Sequence, residues 1–322
     1  MHSPFRTVAP AVAAGVLAAV AFTVAPASAE SAITRCSVTD LPLPPNAVAH
    51  NTWIAGADVT GRWAVGSTEI NDQIEQVVWR NGAVSVPPLP FGTGHLADVN
   101  SSGLTVGYGL TMSYASVPVT WSETTGLREL PVPHDGWNAQ ATGINSRGDI
   151  VGTADDPAVF DSQHAVRWPA DTPGTVEIMP GDAPHSAIGV DEDGTVLVQK
   201  GMPGLPGPAV IWHPADNRVE SLGEGSRGIG ISGGYVTGYQ GADTPMLWNL
   251  GGPDREIRSL DIVNVVNGHG SVAGQGNVIE RRDGSRIRLQ SPGGVPYVTA
   301  LSDTGIAYGN SGGKPVRWTN CR

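Results

Sequence analysis

A short pattern recurs seven times along the chain and constrains its fold more than any other feature of the sequence. Each copy has a small residue, an aliphatic residue, an Asn, Asp, Ser or Thr, a short gap, a glycine, and an apolar pair that usually ends in glycine. The copies occupy residues 58–66, 98–107, 143–152, 189–198, 230–238, 264–274 and 300–309. Self-similarity at a period of roughly 20–50 residues is typical of solenoids and propellers.

Each copy is followed by an apolar residue and, in six of the seven copies, by a tryptophan two positions later. These steps are Val77/Trp79, Val119/Trp121, Val166/Trp168, Val210/Trp212, Met246/Trp248 and Val316/Trp318, with Val278/Glu280 in the sixth copy. The intervals between steps run from 32 to 47 residues, which matches a propeller blade of about 40–45 residues and four strands. The sequence therefore predicts an all-β fold, a seven-bladed β-propeller.

The second unit illustrates how four strands, a to d from the axis outwards, fit the pattern. Val99 ends strand a, and a tight turn follows in which Asn100 can bond its own backbone while Gly103 adopts a positive φ. Strands b, c and d are predicted over residues 104–108, 118–121 and 127–132. The prolines of strand d suit an exposed outer edge, because proline cannot donate a backbone hydrogen bond to a neighbouring strand.

The first 29 residues have the character of a secretory signal peptide. Arg6 precedes an apolar run over residues 8–24, and Ala27 and Ala29 form a small-x-small cleavage site before Glu30. We therefore expect residues 1–29 to be removed and residues 30–322 to form a single seven-bladed propeller domain that is secreted.

The two ends of the chain complement each other. Residues 36–44 resemble the strand d segment at 82–90 but precede the first strand a, and the seventh unit ends without a strand d. We therefore predict that the N-terminal strand closes the last blade. The same alignment brings Cys36 and Cys321, the only two cysteines of the chain, to one turn, where they are predicted to form a disulfide bond.

The repeats resemble the extracellular HAF-repeat family, which is named for a His-Ala-Phe step before the tryptophan. The resemblance rests on His164-Ala-Val-Arg-Trp168 and on the turn Asn145-Ser-Arg-Gly-Asp-Ile-Val-Gly152. Here valine replaces the phenylalanine, and Glu280 replaces one tryptophan. The resemblance implies a secreted, β-propeller-like repeat protein and implies little about activity.

The charge of the chain disfavours two classes of partner. The formal net charge is −11, and removing residues 1–29, which contain one arginine and no acid, makes it −12. Nucleic acid and anionic membranes are therefore not expected partners. No later stretch reaches the ~18 apolar residues of a membrane span. We expect a monomer whose partner is an extracellular glycan or protein.

No motif for catalysis, a metal or a cofactor is convincing. Residues 230–234 and 309–313 match the pattern G-x-S-x-G. A nucleophile elbow requires a helix after the serine, and neither serine is followed by one. The favoured function is a non-enzymatic binding or interaction scaffold. The alternative is a secreted hydrolase or lyase acting on polysaccharide, because propeller loops can assemble a carboxylate pair from several blades. The candidate carboxylates are Asp135, Asp155, Asp156, Asp161 and Asp182.

A ligand is expected on the face formed by the longer b-to-c and d-to-a loops. Trp137 lies there outside the tryptophan register, so it is either a stacking platform for a ligand or a residue packed on its own blade. His134 and Arg227 are placed on the same face. His95 and His185 occupy comparable loops, where they either face each other across the mouth or bond loop backbone.

Small residues precede the aliphatic residue of each strand a and are expected to line the central channel. Among them, Asp58 and Asp98 carry a charge. Two roles are open for these carboxylates, coordination of a cation and solvation of the channel, and we favour solvation.

Overall fold

The computed structural model describes residues 35–89, 94–202 and 205–321. The predicted signal peptide and the Glu30 cleavage site lie outside the described residues. The described residues form 28 strands and no helix. They therefore contain no helix that is long and apolar enough to cross a membrane.

In chain order the strands are β1 (Arg35–Asp40), β2 (Ala47–Ala57), β3 (Trp63–Ile70), β4 (Gln73–Arg80), β5 (Ala83–Ser85), β6 (His95–Val99), β7 (Thr105–Leu110), β8 (Ser116–Ser122), β9 (Gly126–Glu129), β10 (Asn138–Ile144), β11 (Ile150–Asp155), β12 (His164–Trp168), β13 (Glu177–Ile178), β14 (His185–Val190), β15 (Val196–Met202), β16 (Leu205–His213), β17 (Arg218–Ser221), β18 (Ser226–Ser232), β19 (Tyr235–Gln240), β20 (Thr244–Asn249), β21 (Arg255–Glu256), β22 (Ile262–Val266), β23 (Val272–Gln275), β24 (Val278–Glu280), β25 (Arg286–Leu289), β26 (Tyr297–Leu301), β27 (Ala307–Ser311) and β28 (Lys314–Thr319).

The strands form a propeller-like arrangement. Five sheets contain four consecutive strands each, from β2–β5 to β18–β21. The remaining strands form an eight-stranded sheet in the order β22-β23-β24-β25-β1-β28-β27-β26. Residues of seven inner strands, β2, β6, β10, β14, β18, β22 and β26, line one channel. The predicted all-β, propeller-like fold is therefore confirmed.

The N-terminal strand β1 joins the two ends of the chain. It pairs antiparallel with β28, with Val38 opposite Trp318, and Cys36 is bonded to Cys321. Both the predicted pairing and the predicted disulfide are confirmed. The structure adds a contact that the sequence did not indicate, because β1 also pairs in parallel with β25, where Arg35 lies opposite Arg288.

Each inner strand carries a β-bulge at the same position. The pairing register shifts between Ile54/Gly56, Leu96/Asp98, Ala141/Gly143, Ala187/Gly189, Gly228/Gly230, Val263/Val265 and Val298/Ala300. A bulge places two residues of one strand opposite one residue of its partner and bends the strand locally. The repeated bulge was not predicted from the sequence.

This bulge explains the glycine that ends most copies of the repeat. A Cβ atom on Gly107 would lie 1.8 Å from the carbonyl oxygen of His95, and one on Gly152 would lie 2.0 Å from that of Gln140. Gly66, Gly238, Gly274 and Gly309 face the same obstruction, at 1.9–2.0 Å. The backbone of strand a therefore approaches strand b too closely for a side chain in six units, and Val198 holds the position in the fourth.

The register tryptophans connect neighbouring sheets. The indole nitrogens of Trp79, Trp168 and Trp318 donate to the carbonyls of Pro42, Pro131 and Gln290, at 2.7–2.8 Å. Each acceptor follows the outer strand of the adjacent four-strand group. All six register indoles are at most 6% exposed, so each one fills an apolar core between sheets. In Trp79, Trp168 and Trp318 the indole N–H finds its acceptor at the rim of that core.

Glu280 takes the tryptophan position of the sixth unit and uses ionic contacts there. Its buried carboxylate pairs with Arg255 and accepts hydrogen bonds from the backbone and hydroxyl of Ser259. Burial alone would raise the pKa of Glu280, but the hydrogen bonds from Ser259 and Arg255 lower it below the ordinary value. A charged pair thus replaces an indole at the same inter-sheet contact.

The close approach at the bulge generates a stability prediction. Gly152→Ala should lower the free energy of unfolding by about 2 kcal/mol or more, because the added methyl group meets backbone that cannot move independently. Gly143→Ala is the matched control in the same strand pair, since its Cβ would find no atom closer than 3.4 Å. Denaturant unfolding of both variants tests this; equal losses would show that the close approach is not the cause.

Candidate ligand site at the channel mouth

The channel is narrow and is walled by the residues around the seven bulges. Its volume is about 250 Å³. The residues directly after the bulge are Gly56, Asp98, Gly143, Gly189, Gly230, Val265 and Ala300. All of them are small or of moderate size, as expected of residues that face the axis.

Asp58 and Asn264 line the channel as predicted, but neither holds the position directly after the bulge. Gly56, and not Asp58, occupies the position of Asp98 in the first unit, and Val265, and not Asn264, occupies it in the sixth. Asp58 instead begins the a-to-b turn, where its carboxylate accepts hydrogen bonds from the backbone of Thr60 and Trp63. It therefore caps a turn in the way that Asn100 does in the second unit.

Asp98 is the one carboxylate at the channel position that follows the bulge. Its two oxygens accept hydrogen bonds from the backbone of Val99 at 2.8 Å and of Ile144 at 3.2 Å. Burial in the narrow channel, together with the weaker effect of the charges of Asp58 and Glu192, raises the pKa of Asp98 to about 7 against the lowering effect of these hydrogen bonds. A Cβ on Gly56 would lie 2.6 Å from Asp98 Oδ1, so glycine makes room for this carboxylate.

Three residues before each residue that follows a bulge, the inner strands present a set of equivalent positions towards the longer loops. We call it the mouth ring. Its members are Trp53, His95, Gln140, Ser186, Arg227, Ile262 and Tyr297. The positions are equivalent, but the side chains differ from unit to unit, so this ring can bind an asymmetric ligand.

The mouth ring combines an exposed aromatic surface with fixed polar groups. Trp53 is 56% exposed and Ile262 is 40% exposed, although both lie in strands. The guanidinium of Arg227 lies 4.5 Å from the ring centroid of Tyr239, and His95 lies 5.7 Å from Tyr108. Apolar rings beside a few oriented polar groups are typical of small-ligand and peptide sites.

The structure gathers four of the aromatic and imidazole side chains of the third and fourth units into one stack. Trp137 lies 4.7 Å from His134 and 5.5 Å from His164, and His164 lies 5.4 Å from His185, between ring centroids. Trp137 is half-buried and packs against the apolar cluster of its own sheet. These contacts favour the packing role for Trp137 over the role of ligand platform.

His185 has a structural contact and does not meet His95. Its side chain is fully buried, and its Nδ1 accepts the backbone N–H of Ala165 at 2.8 Å. Ser226 makes the equivalent contact with Ala209 one unit later. Burial, with the nearby charges of His164 and Lys200, lowers the pKa of His185 to about 4. His185 thus bonds backbone, the second of its two predicted roles.

The candidate loop carboxylates bond to their own surroundings. Asp155 accepts a hydrogen bond from Asn138 at 3.2 Å, and Asp156 accepts one from the backbone of Ala158 at 2.9 Å. Asp135 and Asp182 are exposed, and Asp161 is half-buried with a φ of 56°. Among residues 35–89, 94–202 and 205–321, no group of three or more His, Cys, Asp or Glu side chains could hold a metal ion.

Sequence reasoning missed Trp53 and Tyr297 as members of the site. Nine tryptophans occur in the chain, and six hold the repeat register. Trp53 is outside that register in the same way as Trp137, and this was the signal that could have identified it. Tyr297 carries no such signal, because its place at the mouth depends on the bulge that follows it.

Comparison with known proteins supports the fold. No protein-family model matches the sequence, and no curated protein matches it. Solved structures that share the fold include a streptogramin B lyase, 12% identical with a TM-score of 0.56 over 88% of this chain and 97% of that chain. A virginiamycin B lyase from Staphylococcus aureus is 11% identical, with a TM-score of 0.56 over 88% and 98%. An oligogalacturonate lyase in complex with manganese is 14% identical, with a TM-score of 0.54 over 87% and 92%. At these identities the likeness concerns the β-propeller fold.

The shifted pKa values of Asp98 and His185 predict opposite dependences of stability on pH. The pKa of Asp98 is raised in the folded state, so its contribution falls as the pH rises from about 4 to 7. The pKa of His185 is lowered, so its contribution falls as the pH drops from about 6.5 to 4. In Asp98→Asn, the free energy of unfolding should therefore rise from pH 4 to 6.5, by on the order of 1–3 kcal/mol.

The reciprocal variant is the control. In His185→Gln, the free energy of unfolding should decline more steeply from pH 4 to 7 than in the wild type, because the opposing slope of His185 is removed and that of Asp98 remains. Denaturant unfolding at four pH values across this range measures both slopes, and parallel profiles for the two variants and the wild type would contradict the assignment.

Proposed function

We propose that this chain is a secreted, seven-bladed β-propeller that acts as a non-enzymatic binding scaffold, with its ligand at the mouth ring. Seven blades are supported by the same bulge in seven inner strands. They are also supported by the eight-stranded sheet, whose order separates into β22–β25 and β26–β28 with β1. The disulfide, typical of oxidising compartments, and the resemblance to HAF repeats support secretion.

The exposed indole of Trp53 carries the proposal. A tryptophan inside a strand is normally buried, because it removes more apolar surface from water than any other side chain. Trp53 is 56% exposed and belongs to the mouth ring, whose positions are equivalent in the seven inner strands. Arg227, Gln140 and Tyr297 place a charge, an amide and a hydroxyl at the same level. This combination suits a sugar ring or an extended peptide side chain.

Binding without catalysis is supported by the hydrogen bonds that the loop carboxylates already accept. Asp155 and Asp156 accept hydrogen bonds from their own blade, which is the behaviour of loop-stabilising residues. A glycosidase needs one carboxyl group held as an acid and a second one placed about 5–10 Å from it across the substrate.

A polysaccharide hydrolase or lyase is the second candidate, and one observation favours it. The pKa of Asp98 is raised to about 7, a value suited to a group that donates and accepts protons at neutral pH. The solved structures with this fold include an oligogalacturonate lyase. If this candidate is correct, cleavage of a polysaccharide should show a pH profile with an inflection near 7 that Asp98→Asn removes. Absence of depolymerised product across a polysaccharide panel would exclude it.

The binding proposal predicts different behaviour for two tryptophans. A glycan and peptide array with residues 30–322 identifies the ligand, and the affinities of two variants are then compared. Trp53→Ala should weaken binding by about 1–3 kcal/mol while leaving the melting temperature almost unchanged, because an exposed ring contributes little to folding. Trp137→Ala should lower the melting temperature and leave the affinity of the folded protein unchanged. Unchanged affinity in Trp53→Ala would remove the mouth ring as the site.

A further inference from the structure

The arginines of this acidic protein are concentrated in one part of the propeller. The chain carries a net charge of −11, with 19 lysines and arginines in total. Six of these are arginines between positions 255 and 288, a stretch that contains only four acids. Its arginines lie in β21, in β25 and in the loops that follow β21 and β24, and none of them is in the inner strand β22, which carries Ile262 of the mouth ring.

Four of these arginines line one cavity. It has a volume of about 320 Å³, and its walls include Arg255, Arg258, Arg282 and Arg286. The acids in the same wall are Glu256, Glu280 and Asp283. A cavity of this size holds one sugar ring or a comparable group, because small-ligand pockets begin at roughly 300 Å³.

The cations of this cavity are only partly neutralised. Arg255 is held by Glu280, yet its Nε is buried without an acceptor in the described structure. Arg258 meets Glu256 only at 3.7 Å, with both side chains largely exposed. Such an exposed ion pair contributes little to stability, and its two side chains separate easily. Arg282 donates to the hydroxyl of Tyr235 at 2.7 Å, which leaves its positive charge uncompensated.

The positive surface continues along the rim of the propeller. In β25, Ile287 and Leu289 are buried, and Arg286 and Arg288 alternate with them on the exposed side. Arg35 of β1 lies directly opposite Arg288 in the parallel pair. None of Arg35, Arg286 and Arg288 has an ion-pair partner among the described residues. Like charges placed directly opposite on neighbouring strands are destabilising, so the fold retains an unfavourable contact here.

Other outer strands do not show this arrangement. Arg218 of β17 is paired with Glu220 of the same strand and with Asp216. Arg128 of β9 is followed by Glu129. The outer strand β25 therefore differs from these in having two exposed arginines and no acid.

We propose that this arginine surface, formed by Arg35, Arg258, Arg282, Arg286 and Arg288, binds an acidic oligosaccharide. Residues two apart on a strand are about 7 Å apart, and neighbouring strands are about 4.8 Å apart. The guanidinium groups can therefore contact carboxylate or sulfate groups on successive sugars, with one sugar in the cavity. Guanidinium groups match carboxylate and sulfate oxygens through paired hydrogen bonds.

The composition of this region favours a glycan over other polyanions. No Phe, Trp or Tyr occurs between Trp248 and Tyr297. This segment therefore supplies no aromatic platform for stacking the bases of a single-stranded nucleic acid, and the ring of Tyr235, which Arg282 contacts, is buried. It also lacks the large apolar groups with which a peripheral protein inserts into a membrane. The overall negative charge of the protein further opposes long, densely charged polymers and favours a short local contact.

The test uses three hexasaccharides and the secreted chain, residues 30–322. A hexagalacturonate provides carboxylates, a heparin-derived hexasaccharide provides sulfates and carboxylates, and cellohexaose is the neutral control. Titration calorimetry at low salt should detect both acidic sugars and not the neutral one. Binding should weaken at least fivefold on raising the salt from about 50 to 300 mM, because the screening length of exposed charges falls from about 14 to about 6 Å in this range. The tighter of the two acidic ligands identifies the anion that the surface prefers.

Two variants locate the binding. Arg286→Gln/Arg288→Gln should weaken binding of the acidic hexasaccharides at least tenfold without lowering the melting temperature, since it removes a like-charge contact. Arg128→Gln is the matched control on another outer strand and should bind as the wild type does. Trp53→Ala should also bind these sugars normally, which separates this surface from the mouth ring.

Several outcomes would overturn the proposal. These are no binding of either acidic hexasaccharide at low salt, equal binding of cellohexaose, or an equal loss in Arg128→Gln. Tighter binding of a single-stranded hexanucleotide, or of vesicles that contain phosphatidylglycerol, would also overturn it and would assign the surface to that class of ligand.

Discussion

The contact between a bulged inner strand and the backbone of its neighbour is the constraint on which the rest of this structure depends. It requires glycine at one position of strand b in six units, because the carbonyl oxygen of strand a occupies the place of a Cβ atom. The bend also brings the following residues to the axis, where only small or moderate side chains line the channel. The residues before the bulge need be neither glycine nor small. Variation between units is therefore concentrated at the mouth.

Much of the fold was predictable because it depends on local chemistry. Asn100 forms the turn that its side chain suggested, and the cysteines meet where the alignment of the outer strands placed them. The register of strand a in the first unit was misassigned for a clear reason. Asp58-Val59 repeats the residue types of Asp98-Val99, but β6 ends at Val99, whereas β2 ends at Ala57, two residues before Val59. Residue types alone do not reveal the pairing register of two strands when one of them contains a bulge.

The candidate sites were less predictable, because they depend on contacts between distant segments. From the sequence, Trp137 was a candidate for stacking on a ligand. In the structure His164 stacks on its ring, and this contact could not be seen in the sequence. The juxtaposition of Arg35 and Arg288 arises from a parallel pairing between the first strand and β25, which no local pattern encodes. The replacement of tryptophan by Glu280 was visible in the sequence. Its meaning became clear only when Arg255 and Ser259 were found around the carboxylate.

The position of β1 has a consequence for how the molecule is made. The first strand of the described chain is inserted between β25 and β28, and its cysteine is bonded to a partner 285 residues later. During synthesis this strand has no partner until almost the whole chain has emerged, so it must wait while the intervening sheets form. Contacts between such distant segments form late and slowly. The ring therefore stays open until the last strand arrives.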